Sequence, residues 1–276
     1  MSGFSASDAA LEGFQVLRTH WRVVVGWAVF NLLALVAMIV ITVIISVGVG
    51  LATGADEASG AAAAIGGLVG ALVTALIETA LIVGIYRLML RPADPGFLHL
   101  RLGRDEGRLF LVVLILSGGV LLLVALAALL STILEKLTPS GGLIAYVLAL
   151  GVGSWLALRL GLTAPISFAE RRIDLRRSWR MSRGRVWALL GMWFLNFCLV
   201  MLVWLALWLA VFVISGVLTG FHGFARAEDS DALVSHPGRY LLEAILPILC
   251  VPALLLLSQA PWVAAYRAFA TETEVA

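Results

Sequence analysis

The chain has 276 residues, of which 62% are hydrophobic and only 13% charged, with a net charge of +2 and a mean hydropathy of +1.04. A soluble domain carries about 25% charged residues, so this composition leaves too few charges to solvate a globular surface and excludes an ordinary water-soluble fold. Cys198 and Cys250 both lie in apolar runs, where a disulfide framework is not expected.

The predicted elements, in chain order, begin with a short amphipathic helix that aligns Ala10, Phe14, Leu17 and Trp21 on one face. An apolar run follows over 23–50. It is about twice as long as a signal-peptide core and lacks a small-residue cleavage site, so it reads as a retained span. Further apolar runs cover 61–90, 109–134, 142–169, 186–217 and 240–270. Each exceeds the roughly 20 residues needed to cross a hydrocarbon core, and all are too long and unbroken for barrel strands. Before the third run, Leu98, Leu100 and Leu102 alternate with polar residues as in a strand. A lone strand at a membrane surface leaves its backbone hydrogen bonds unmade, so the expectation is a second interfacial helix. Before the fifth run, residues 171–185 place Leu175, Ser178, Trp179, Ser182 and Val186 on one helical face and Arg176, Arg180 and Arg183 on the other. That pattern predicts a helix lying in the interface, apolar side in the acyl boundary and arginines toward headgroups.

Basic residues set the orientation. Fifteen of them flank the spans on one side: Arg18, Arg22, five from Arg87 to Arg108, seven from Arg171 to Arg185, and Arg267. Only Lys136, Arg226 and Arg239 lie on the other side, beside the acidic residues Asp56, Glu57, Glu228, Asp229 and Asp231. Both termini and both arginine-rich loops are therefore expected in the cytoplasm, in a bacterial inner membrane.

The fold class expected is an all-α polytopic bundle, one integral membrane domain over 1–276. It reads as three parallel repeats of an interfacial helix plus two spans, with units near 8–92, 93–172 and 173–270. Aligning Arg18, Arg104 and Arg183 brings Asn31, Ser117 and Asn196 to one depth; aligning Ala80-Leu81, Ala164-Pro165 and Ala260-Pro261 superposes Arg87, Arg171 and Arg267.

Two charges fall inside spans. Glu78 lies about 13 Å and Arg159 about 18 Å from the arginine border of their helices, at 1.5 Å per residue. Such charges are costly unless paired or hydrated, so a Glu78–Arg159 pair is expected. It would either fix helix packing or mark a polar pathway lined also by Asn31 and Asn196. Glycines at 66, 67, 70, 118, 119, 151 and 153 read as close-packing positions, and Pro247, Pro252 and Pro261 as kinks. His222 and His236 match no metal spacing.

The segment from Leu175 to Gly191, with its Arg-Ser-Trp and later Arg-Gly pair, resembles a motif of uncharacterised bacterial six-span proteins. These are similar to the membrane domain that accompanies glycerophosphodiester phosphodiesterases. The Ala-Pro near the end of the fourth span and the segment from Phe97 to Glu106 carry the same resemblance. It implies a six-span fold and no catalytic residues, since the phosphodiesterase activity belongs to a separate soluble domain.

Hydrolase, zinc-protease and nucleotide-binding signatures are absent from the sequence. The expectation is a non-enzymatic membrane protein, with no cofactor or metal, that binds or organises lipid or protein partners at the cytoplasmic leaflet. Arg176, Arg180 and Arg183 are the headgroup candidates. The expected partners are membrane lipids, anionic ones included, then a protein or a second copy of the chain, and not nucleic acid. The alternative is a small-solute or lipid transporter using the polar site near Glu78 and Arg159.

Overall fold

Apolar runs of this length can satisfy their backbone groups away from water only within the segment, as helices. The structure, a computed structural model, describes residues 4–53, 58–93, 97–100, 103–138, 140–219 and 237–275. Its α-helices are α1 (Ala6–Thr19), α2 (Trp21–Thr53), α3 (Ala58–Leu90), α4 (Arg104–Leu134), α5 (Gly141–Leu160), α6 (Thr163–Glu170), α7 (Leu175–Met181), α8 (Val186–Thr219) and α9 (Pro237–Val275). Among the described residues there is no strand. Six stretches are long and apolar enough to cross a membrane: Trp21–Gly48, Ala64–Leu90, Arg104–Leu134, Gly141–Glu170, Val186–Val217 and Ile245–Thr271. The protein is an all-α, multi-pass helical bundle. Leu33, Ile44, Leu121, Leu143 and Trp208 are among the many large apolar side chains left exposed on these helices, a surface suited to lipid rather than water.

The chain forms two compact units. The first contains Met1–Ala10, Ile82–Phe194 and Ala260–Ala276; the second contains Leu11–Leu81 and Leu195–Gln259. In the first, α4 packs along α5, α6 packs on α4, and α7 packs on both α5 and α6. The turn into α5 is close enough that a Cβ on Gly141 would stand 2.2 Å from the Leu134 carbonyl. The core of this unit gathers Leu158, Leu162, Ile166, Leu189, Met192 and Phe269, with the Phe4 ring 5.0 Å from that of Phe269.

In the second unit, α2 and α3 approach closely at Gly66, where a Cβ would fall 2.8 Å from Ser46 Oγ. Asn31, buried on α2, donates from Nδ2 to the Ile248 carbonyl at 3.0 Å. That carbonyl needs an outside donor because the residue four positions on, Pro252, has no N–H.

Several expectations require correction. The fourth span is not one helix: it breaks at Gly161 and Leu162, between α5 and α6. Pro165 explains the position, since proline cannot bond the carbonyl four residues back and its ring crowds it. In place of a second interfacial helix, the described residues contain a single 3-10 turn, Phe97–His99, in which Leu98 has φ 54° and His99 φ 58°. Left-handed backbone at two consecutive residues cannot propagate a right-handed helix. Gly67, Gly118, Gly119 and Gly151 have no side-chain or foreign backbone atom near their missing Cβ, so the close-packing reading fails for them.

Candidate functional site

The first unit collects most of the arginines, and the sequence intersperses carboxylates among them. Asp105 and Glu106 sit in the first turn of α4, where the helix dipole favours negative charge. Glu106 there meets the guanidinium of Arg87 at 2.7 Å, with side chains only 9% and 6% exposed. The same guanidinium donates to the His99 carbonyl at 2.6 Å, which holds the left-handed turn against the end of α3. Arg91 reaches Asp105 at 3.4 Å, donates to the Phe168 carbonyl at 2.9 Å and lies 4.7 Å from the Phe168 ring centroid. Arg108 pairs with Asp105 and donates to the Arg171 carbonyl. Arg172 and Arg177 pair with Glu170, and Arg267 donates to the Met89 carbonyl. These arginines, expected only as topology determinants, are internal ties. Arg87, Arg171 and Arg267, superposed by the repeat, do three different jobs.

Helix α7 departs from this pattern. Asp174 caps it, accepting from the Arg177 N–H at 2.8 Å. Ser178 and Ser182 are fully buried, not turned to acyl chains as expected. Ser178 Oγ donates to the Arg159 carbonyl at 2.9 Å and Ser182 Oγ approaches it at 3.4 Å. The break after α5 removes that carbonyl's regular helical donor, and two hydroxyls replace it. The expected helix over 171–185 is shorter, ending at Met181, so Ser182 and Arg183 fall in the turn that follows; Arg176, Arg180 and Arg183 are all exposed, and none makes an ion pair among the described residues. Arg180 and Arg183 line a shallow depression of about 470 Å³ with Arg177 and Arg185.

Arg159, at the last turn of α5, lies against two indoles, 5.5 Å from the Trp155 centroid and 5.2 Å from that of Trp179. The rings themselves meet edge-on at 5.1 Å. Its Nε and Nη1 are buried and have no hydrogen-bond partner among the described residues. Beside it runs a groove of about 560 Å³, bounded by α5, by the turn at Gly184 and by the start of α8. Gly184 has φ +82°, a conformation that other side chains adopt only with strain.

The other candidate residues fall in both units. Glu78 is exposed on α3 and belongs to the second unit, whereas Arg159 belongs to the first. Asn31 commits its amide nitrogen to Ile248, and the Oδ1 of Asn196 is buried without a partner; Ser117, their repeat mate, is exposed. Asp56, Glu57, Arg226, Glu228, Asp229, Asp231, His222 and His236 lie outside the described residues. Sequence reasoning missed Asp105, Glu106 and Glu170 as partners; the available signal was their interleaving with the arginines.

No protein family, curated protein or solved structure matches the chain.

Proposed function

We propose that the protein is a non-enzymatic component of a bacterial inner membrane. Both termini and the arginine-rich end lie in the cytoplasm, and α7 presents a basic surface to anionic lipid headgroups of that leaflet. One contrast carries this reading. Arg87, Arg91, Arg108, Arg172 and Arg177 meet carboxylates of the chain itself, whereas Arg176, Arg180 and Arg183 stand exposed without one. Cations left unpaired beside a membrane are served by anions from outside the chain, and each is worth about 1 kcal/mol near an anionic surface. Trp155, Trp179 and Trp187, all exposed, lie at the same end of α5 and α8, as an aromatic belt at a membrane–water boundary would. The boundary on this reading falls near Arg159, with α6 outside the hydrocarbon. The likeness of residues 175–191 to the membrane domains that accompany glycerophosphodiester phosphodiesterases agrees with a lipid setting.

The test is the variant with Arg176, Arg180 and Arg183 all changed to Gln. Its spans should insert normally, because enough other arginines remain on the same flanks. Co-purified anionic lipid should fall, and the wild-type excess should shrink as salt is raised, since exposed charges are screened over about 8 Å at physiological ionic strength. Wild-type lipid content at both low and high salt would remove the lipid role. A protein partner or second copy lost from the variant instead would move the function to protein binding.

A further inference from the structure

The groove beside Arg159 differs from the basic surface of α7 in its lining. Its walls are mostly apolar, formed by Leu158, Val186, Trp187 and Leu190 with Ser154 among them, and among the described residues nothing approaches the missing Cβ of Gly151. Arg159 lines it too, with Nε and Nη1 buried and, among the described residues, unpartnered. The flanking indoles stabilise the cation through their ring faces, yet they accept no conventional hydrogen bond from its N–H groups. Buried donors without acceptors are costly, and more so when charged. A mostly apolar groove lined by a cation without a carboxylate partner is complementary to a molecule with an anionic head and a hydrocarbon tail.

We infer that this groove seats one phospholipid molecule, its phosphate paired with the Arg159 guanidinium and one acyl chain lying along α5 and α8. The inference rests on the lipid-binding reading and deepens it by separating a single seated molecule from the diffuse population over Arg176, Arg180 and Arg183. A phosphate held against a partly buried guanidinium is screened less than one at the exposed surface. The seated molecule should therefore survive salt that strips the rest.

The test is native mass spectrometry of the purified full chain, titrated with phosphatidylglycerol at low and high salt. One phosphatidylglycerol per chain should persist at high salt. Diacylglycerol, which has the tails without the phosphate, should not take its place, and excess inorganic phosphate should not displace it. Arg159→Met should weaken retention about tenfold or more, the scale of losing hydrogen bonds to a charged group. Gly151→Leu leaves Arg159 untouched and should weaken it comparably by filling the channel, which keeps the test valid if Arg159→Met folds poorly. The Gln variant of Arg176, Arg180 and Arg183 should lose only the salt-sensitive lipid.

Equal retention by Arg159→Met and wild type would overturn the inference. So would displacement by inorganic phosphate, or equal binding of diacylglycerol. If the triple Gln variant loses all lipid, the surface reading stands and the seated molecule does not exist. If that variant loses none while Arg159→Met loses its one lipid, the surface reading fails and the groove remains.

Discussion

The ion pair between Arg87 and Glu106 gives the sharpest energetic prediction. The two side chains are 6% and 9% exposed and meet at 2.7 Å, and Arg87 also carries the His99 carbonyl at 2.6 Å. Arg87→Met strips the counter-charge from a carboxylate in a nearly dry site and removes the donor from that carbonyl. Removing one partner of a buried pair costs about 3–5 kcal/mol, and this variant should fall in that range. Glu106→Gln should cost less, about 1–2 kcal/mol, because its carbonyl still accepts from Arg87 and only the charge assistance is lost. Combining Arg87→Met with Glu106→Leu should recover much of the single loss, since an apolar pair of similar volume carries no desolvation penalty. Equilibrium unfolding in mixed micelles, followed by the fluorescence of the nine tryptophans, measures all three. An Arg87→Met variant within about 1 kcal/mol of wild type would show that water reaches the pair and refute the reasoning.

Three further outcomes are expected. In a background lacking Cys198 and Cys250, Thr138→Cys should react with an impermeant thiol reagent in intact cells and Arg180→Cys only in inverted vesicles; the reverse pattern would invert the orientation. Both positions are exposed, whereas Ser178 is fully buried and would stay unlabelled on either side. Glu78→Gln and Arg159→Met should be additive in stability within about 0.5 kcal/mol, because Arg159 faces its own groove; strong recovery in the double variant would restore the intramembrane pair and displace the phospholipid. Gly161→Ala should destabilise by about 1–3 kcal/mol, since its new methyl would stand 2.4 Å from the Trp262 ring; unchanged stability would mean that the indole moves aside freely.

The spans were legible because hydropathy over some 20 residues is a long signal that no local feature overrides. The break in the fourth was less so. Arg159 to Arg171 reads as one apolar approach to the border, and only Pro165, four residues after Gly161, marks where it ends. Counting arginines gave the charge asymmetry but not its use, because Asp105, Glu106, Glu170 and Asp174 turn five of the fifteen flanking arginines into internal ion pairs. The wheel over 171–185 put the buried Ser178 and Ser182 opposite the exposed Arg176, Arg180 and Arg183, but also put the exposed Trp179 with the serines. It assigned Ser178 and Ser182 to lipid, because periodicity distinguishes faces without saying what covers them. The groove had no linear signature: its walls come from α5 and α8, and its cation sits where a helix stops. The 3-10 turn at Phe97–His99 depends on Arg87 from another helix, a partner that no local propensity contains.

The hydrogen bond from Asn31 to the Ile248 carbonyl has a consequence for how this sequence can change over time. Pro252 creates the vacancy that Asn31 fills. A chain that lost Pro252 would close its own helix at Ile248 and leave a buried amide with no purpose; one that lost Asn31 would keep a kink with a bare carbonyl. Each single step passes through a less stable protein, and the paired change does not. Positions 31 and 252, 221 residues apart in sequence, are therefore expected to vary as one character among descendants of this chain, with the proline absent wherever the asparagine has become apolar.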